Sequence, residues 1–573
     1  MHVGEQYSGH PDPAATRKTG PLGQLRRRVG RRDPVARLWV LAAWIGGILV
    51  LTAVLARISL ASPLNSDGAN IALQGWDLLH GHLLLHGWIV SDASFYTFEV
   101  PLLALGEALF GLTVITAHIV SALTYAIVAA FAVAVARTNS SGAAAAARCG
   151  VVIAVLAAPV VTQPGVAILL EAPQHIGTSA YFLGCFLLID RAPGWRFTAP
   201  LVSVILTVGQ VGDATVLYVA VPAVVLVCAY RVLASREIRS ADTAIGVAAA
   251  ASVPLAIGCR AAMRHLGGYV LVPPRNAISQ PGQWWSNAGL TWHDIRTLFG
   301  AAAPGPASAP SVVAVAFAWV CLAAAVIGLA RVAWTWRTAS RAEQLLGAAI
   351  VANLLVYLVS TMASSVSARE ISAVLPCGAV LAARAVVPGR ITGVNRAAAT
   401  LFVAAVAALA PLVAAAAQPT VTPAAVPLAA WLKAHKLSYG IAGYWSGSVV
   451  TLASGETVQI RAVASQNDDF FPFYWETKPG WYTASQHDAN FMIADTARSS
   501  ISDNFSVADI EGHFGRPAAI YHVAGYDVMV YRKNLLRHLG TPWEPSPAGR
   551  AQRPTGVTTT VCHSCSQRPG GIR

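Results

Sequence analysis

A mainly α fold is predicted: a polytopic bundle of about eleven transmembrane helices, followed by a small α/β domain outside the cytoplasm. Three observations predict it. Apolar residues make up 55% of the 573 and charged residues only 12%, about half the charge of an ordinary soluble domain, and mean hydropathy is +0.54. The apolar residues fall in blocks such as Leu38 to Leu55, Val312 to Ala330 and Ala397 to Ala417. At about 1.5 Å per residue, blocks of this length cross a hydrocarbon core of roughly 30 Å. Finally, the basic residues punctuate those blocks instead of forming one stripe.

That placement settles what the net charge of +13 implies. Residues 1–37 form a basic leader with Arg26-Arg27-Arg28 and Arg31-Arg32, expected to be disordered in the cytoplasm. The pattern is the topology signal of a membrane protein, not a nucleic-acid-binding arm. The first block follows this leader without a clear small-residue cleavage site and reads as a retained anchor.

Spans are expected at 38–60, 112–136, 149–167, 176–190, 198–212, 214–231, 243–262, 311–331, 343–363, 371–387 and 397–417. With the N-terminus inside, the inner turns hold Arg137 and Arg148; Arg191 and Arg196; Arg231, Arg236 and Arg239; Arg331, Arg337 and Arg341; Arg384, Arg390 and Arg396. No Lys or Arg occurs between Ile58 and Ala136. The membrane region 38–417 thus leaves loops 61–111 and 263–310 outside, and an odd number of spans places the C-terminal region outside too. There, 418–540 reads as a compact α/β domain. A helix starts at Trp431 to His435, strands are expected at Val449 to Leu452, Val458 to Ile460 and Ala524 to Tyr531, and 541–573 is a flexible tail.

The first outer loop carries the chemistry. Asp67 follows span one almost at once. Ala72, Trp76, Leu79 and Leu83 recur at helical spacing, which predicts a helix lying in the membrane interface with Trp76 at headgroup depth. Asp92 and Glu99 come later in the loop, in the stretch ending Phe98-Glu99-Val100-Pro101-Leu102.

An acid directly after span one, a surface helix, and an acid-Pro-Leu step before span two resemble the GT-C superfamily, which includes protein O-mannosyltransferases and bacterial aminoarabinose transferases. The overall pattern looks closest to actinobacterial members. The resemblance implies a plasma-membrane enzyme that moves a sugar from a polyprenyl-phosphate carrier to a cell-envelope glycan, lipid or protein, inverting the anomeric carbon. In the superfamily this loop carries an Asp-Glu pair. Asp67 matches the Asp, and Gly68 stands where the Glu would be.

Such a transfer needs a base for the acceptor proton and a cation for the leaving phosphate. Asp67 is the candidate base, provided it opens onto a lipid-sized groove; an N-cap for the surface helix is its structural alternative. Arg369, in the short outer turn Ser367-Ala368-Arg369-Glu370, is the candidate phosphate ligand, with Arg260, Arg264 and Arg275 as alternatives and a salt bridge to Glu370 or a snorkelling side chain as its bland reading. Asp92 and Glu99 could orient an acceptor or bind a divalent ion, or be ordinary solvated loop acids. Glu171, His175 and Asp213 are expected to line an outward-facing cavity, or else to make polar contacts between helices. The need for any cofactor stays open.

Other features are weaker. His80, His82 and His86 could suggest zinc, but interfacial histidines are common without metal. Of the eight cysteines, six read as packing residues, and Cys562 and Cys565 form one isolated CxxC. Phe470, Phe471, Phe473, Tyr474, Trp475, Trp481 and Tyr482, beside Asp468 and Asp469, suit either sugar stacking or a domain core. The rival to a transferase is a non-catalytic glycan-binding protein or a transporter, which the loss of the second acid at Gly68 favours. A transporter would more often show paired half-chains with broken helices, and none are visible.

Overall fold

The computed structural model describes residues 34–172, 174–273, 277–302, 309–389, 411–466, 469–495 and 505–541. The leader 1–33, most of the expected span 397–417, Arg275, Asp468, the CxxC and nearly all of the tail lie outside the described residues. The chain divides into two compact units, Met1–Val50 and Leu51–Arg573. Of the first, the described part is the start of helix α1 (Pro34–Ser59). Its apolar side chains stay exposed, Trp39 by 72%, as a lipid-facing helix requires.

Seven helices among the described residues are long and apolar enough to cross a bilayer: Leu38–Ser59 within α1, Val114–Ala136, Gly142–Val160, Thr215–Ser235, Ala241–His265, Val312–Trp334 and Arg341–Val359. Shorter apolar helices at Ser179–Arg191, Thr198–Gly212 and Val374–Val386 fill the bundle. Such a short helix suits the inside of a bundle, where lipid thickness does not have to be matched. The expected span 149–167 begins earlier and breaks. Its helix runs Gly142–Val160, and after the turn Thr162 caps a new helix, Gln163–Leu169, by accepting from Gly165 N at 3.3 Å. Arg148, expected in a loop, lies inside the first of these, where its guanidinium binds the carbonyls of Ala136, Thr138 and Val387 at 3.1–3.2 Å.

The first loop holds two helices, α2 (Ser66–Leu79) and α3 (Glu99–Phe110). α2 does not lie with one face in lipid, as its spacing predicts. Ser66 to Gly75 are all buried, because α2 packs against α3 and against a helix of the C-terminal domain. The second loop adds a helix at Trp284–Leu298. Strand β1 (Ile89–Val90) pairs in parallel with β2 (Val270–Leu271), and Ile89 also exchanges main-chain hydrogen bonds with Thr477 at 2.7 and 2.9 Å. The loops and the C-terminal domain are thus stitched together.

The C-terminal domain has a six-stranded sheet. Taking its strands as β3 (Tyr439–Gly443), β4 (Gln459–Gln466), β5 (Asp469–Pro472), β6 (Phe491–Asp495), β7 (Ala519–Val523) and β8 (Tyr526–Val530), their order is β5-β4-β3-β6-β8-β7. β3 runs parallel to β4 and β6, and the remaining pairs are antiparallel. Val449 to Leu452, expected as a strand, belongs to the helix Tyr444–Ala453 that crosses from β3 to β4. Its run of apolar residues fits a helix buried between the sheet and α2, where packing overrides β propensity.

Candidate active site

Asp67 is not the N-cap of α2. Asn65 is, accepting from Gly68 N at 2.9 Å. The Asp67 carboxylate lies in the first turn, where the helix dipole favours an anion, and points away from the cap. Its Oδ2 receives a hydrogen bond from Arg369 Nη1 at 2.7 Å, and its Oδ1 one from the Tyr444 hydroxyl at 2.6 Å. Arg369 Nη1 also binds Gln174 Oε1 at 2.5 Å. The expected lipid-sized groove does not open here: Asp67 is 6% exposed and both its oxygens are occupied. Arg369 is the more open partner, its side chain 33% exposed. Its Nε and Nη2 donors have no partner among the described residues. The salt bridge to Glu370 expected as its bland reading is replaced by one to Asp67.

Tyr444 and Glu476 were not visible as site residues in the sequence. Tyr444 directly follows β3, at the carboxyl end of the strand where the sheet order reverses, the usual ligand position of an open α/β sheet. Its hydroxyl lies 2.6 Å from Asp67 and 3.0 Å from Glu476 Oε2, and accepts from Asn70 Nδ2 at 3.3 Å. A phenol has one proton and donates to one acceptor only. With Asp67 in an ion pair with Arg369, the proton closing the second contact belongs to Glu476. Burial, and then the Asp67 charge, push the Glu476 carboxyl well above the usual range. The three groups form a chain from a neutral acid, through a phenol, to a carboxylate.

Gly68 is closed to the second acid. A Cβ there would collide with the main-chain oxygen of Glu171. Glu171 itself accepts from Ser62. The loop of Glu171 is a hub: Gln174 reaches Arg369, and Gly177 lies against the Glu99 carboxyl. His175 takes a left-handed backbone, φ +58°, rare for a residue other than glycine. It sits between Asp213, 2.9 Å from Nδ1, and Glu370, 3.6 Å from Nε2. Burial would lower its pKa, but the charges of Asp213 and Glu370 lift it to about 10, so it is an imidazolium at neutral pH. Thr178 and the Thr215 amide complete the shell of Asp213 at 2.7 and 2.8 Å.

The predicted residues therefore fall into two adjoining groups. Asp67 and Arg369 share the first, with Gln174 linking it to His175, Asp213 and Glu370 in the second. Glu99 is buried with Oε1 unpartnered, and burial holds its carboxyl well above the usual range. Half-buried Asp92 acts on His175 and Glu370 through its charge. Arg260 instead binds the Gln210 carbonyl at 3.0 Å, and Arg264 is exposed. Among the described residues, no group of three or more His, Cys, Asp or Glu could hold a metal ion. His80 contacts the Trp76 carbonyl and His82 contacts Asp77. The aromatic cluster splits as well: Phe470 is core, while Phe473 meets Tyr444 edge-on at 5.4 Å.

The chain is similar to ArnT from Cupriavidus metallidurans in its crystal structure bound to undecaprenyl phosphate, with TM-score 0.52 and 13% sequence identity, over 88% of this chain and 99% of ArnT. The chain shares the ArnT fold. The apo crystal structure of ArnT matches with TM-score 0.50 at 13% identity, over 87% of this chain and 99% of ArnT. ArnT is a GT-C family aminoarabinose transferase, so the GT-C-like fold expected from the first loop is the fold found. No family model matches the chain, and neither does any curated protein.

Proposed function

We propose that the chain is an inverting membrane glycosyltransferase that takes a sugar from a polyprenyl-phosphate donor and passes it to a cell-envelope acceptor. The reading has the arginine-marked turns and N-terminus in the cytoplasm, and the site, together with the 418–540 domain, outside. The observation that carries it is the Asp67–Arg369 ion pair at 2.7 Å, in a fold whose relative ArnT has been seen with undecaprenyl phosphate.

Because Asp67 is closed in this state, its work as a base begins with an exchange of partners. The donor phosphate engages the free Nε and Nη2 of Arg369 and draws the guanidinium from Asp67. The acceptor hydroxyl then attacks the anomeric carbon. The new C–O bond forms as the bond to phosphate breaks. The proton passes to Asp67, and polyprenyl phosphate leaves against Arg369. Tyr444 keeps Asp67 oriented throughout by donating to its Oδ1. The burial of Asp67 also supports the rival, a non-catalytic glycan-binding protein.

The test is transfer from a radiolabelled polyprenyl-phosphate sugar by membranes carrying each variant. Asp67→Asn is expected to lower transfer by about 10²–10⁴ while the protein remains folded and inserted; transfer at the parental rate removes Asp67 from the mechanism. Arg369→Ala is expected to weaken donor binding more than acceptor binding, and equal effects count against the phosphate role.

A further inference from the structure

Beside the site, α2 and the C-terminal domain enclose a second feature, a cavity of about 220 Å³. Three indoles, Trp76, Trp88 and Trp481, frame it, with Asp77, His80, Lys478 and Glu456 as its polar groups. Each water takes roughly 30 Å³ of liquid volume. The space therefore holds about seven waters, the scale of one hexose ring.

The charges decide what kind of ligand fits. Lys478 Nζ is bound to both Asp77 oxygens at 2.9 and 2.8 Å, so its charge is already neutralised. Asp77 also accepts from Trp88 Nε1 at 2.9 Å and contacts His82 Nδ1 at 2.7 Å. Burial alone would raise the Asp77 carboxyl, but its bonds to Lys478, His82 and Trp88 hold it below its ordinary value, so it stays ionised. Glu456 has no partner among the described residues. A cavity with a neutralised cation and a spare carboxylate repels phosphates, free or on a lipid headgroup or nucleotide. A hydrocarbon would leave its carboxylates and ammonium buried without water. A neutral ring with hydroxyls on its rim and C–H bonds on its faces satisfies both sets of walls: carboxylates accept, the ammonium donates, and the indoles pack on the faces. Trp481 is held for this, with the Arg461 guanidinium 3.7 Å from its ring centre.

We infer that this cavity is a saccharide subsite, taking one neutral pyranose ring of the acceptor glycan. α2 links it to the site, with Asp67 in its first turn and Asp77 in its last. Ten residues of helix separate the two by about 15 Å. An acceptor chain gripped by one sugar at the cavity would present another near Asp67. The inference rests on the transferase reading for the source of the sugar, not for the binding itself.

The experiment uses the full chain in lipid nanodiscs, free of sugar-headed detergent. Linear trisaccharides of mannose, glucose and galactose are titrated by tryptophan fluorescence and saturation-transfer NMR, with inorganic phosphate in parallel. At least one trisaccharide is expected to bind, and phosphate not to compete. Trp481→Ala and Glu456→Gln are each expected to raise its Kd about tenfold, which is 1.4 kcal/mol. Glu456→Gln removes no internal contact, so it keeps the test decisive if Trp481→Ala misfolds. Binding of no trisaccharide, or parental Kd in Glu456→Gln, overturns the subsite. If no saccharide binds while Asp67→Asn still abolishes transfer, the subsite alone falls. Saccharide binding by a protein that transfers nothing sinks the transferase reading and leaves the subsite standing.

Discussion

At one end of the helix bundle, Arg148, Arg331 and Arg384 turn back onto main-chain carbonyls. Arg384 Nη2 binds the Val135 carbonyl at 2.7 Å and also the Thr138 hydroxyl, while Nη1 binds Ser340 at 2.9 Å. Arg331 binds the Arg384 carbonyl at 2.7 Å. These cations meet the C-terminal ends of helices, where the dipole is negative. At the other end, about 34 Å away along Val114–Ala136, charge is left in reserve. Arg369 keeps free donors, Glu99 keeps an unpartnered oxygen, and Glu476 shares a proton through Tyr444. Buried arginines held by main-chain carbonyls mark architecture, even where one donor, Arg384 Nε, is left without a partner among the described residues. An arginine as open as Arg369, with donors left over, marks a place where something else binds.

Three changes would break or sharpen that contrast. The largest stability effect is expected at the arginine end. Arg384→Ala leaves buried carbonyl and hydroxyl oxygens without donors, each costing about 1–3 kcal/mol, so a loss of about 3–5 kcal/mol is expected in thermal unfolding of the purified protein. A near-neutral result would mean water fills the gap, and this end would no longer count as sealed.

At the site end, His175→Gln is expected to cost about 3 kcal/mol near neutral pH, by leaving Asp213 buried without its cation. The pH dependence has a definite sign. The folded pKa of about 10 lies above the ordinary 6.5, so this contribution is fully present below pH 6.5 and lost as pH rises towards 10. Asp213, Glu370, Asp92 and Glu99 are the carboxyls around it. The parent should lose melting temperature across that window, and His175→Gln should flatten the curve. An equally steep curve in the variant would assign the loss to another group.

The smallest effect is expected at Gly68→Ala. The added methyl meets the Glu171 oxygen, and overpacking of this kind costs about 1–3 kcal/mol. Unchanged melting with unchanged transfer would show that the Glu171 loop yields freely.

The sequence carried much of this architecture. Long apolar blocks and their flanking arginines are one-dimensional signals, so the spans around Val114–Ala136 and Arg341–Val359 were readable. The break after Val160 was not, because Ala-rich Gly142 to Ala147 reads as loop once Arg148 is taken for a solvent-facing charge. Val449 to Leu452 misled for a related reason, since four apolar or β-branched residues fit a strand or a buried helix equally well. In the site, Asp67, His175, Asp213 and Arg369 stood out as polar residues at the ends of apolar runs. Tyr444 and Glu476 gave no such signal. Their role arises when the C-terminal domain folds onto a loop 377 residues away along the chain from Tyr444 to Asp67.

The crowding under Gly68 also couples two stretches far apart in the chain. Any side chain at this position meets the Glu171 peptide, which must shift to admit it, so a second acid here would come only with a rearranged Glu171 loop.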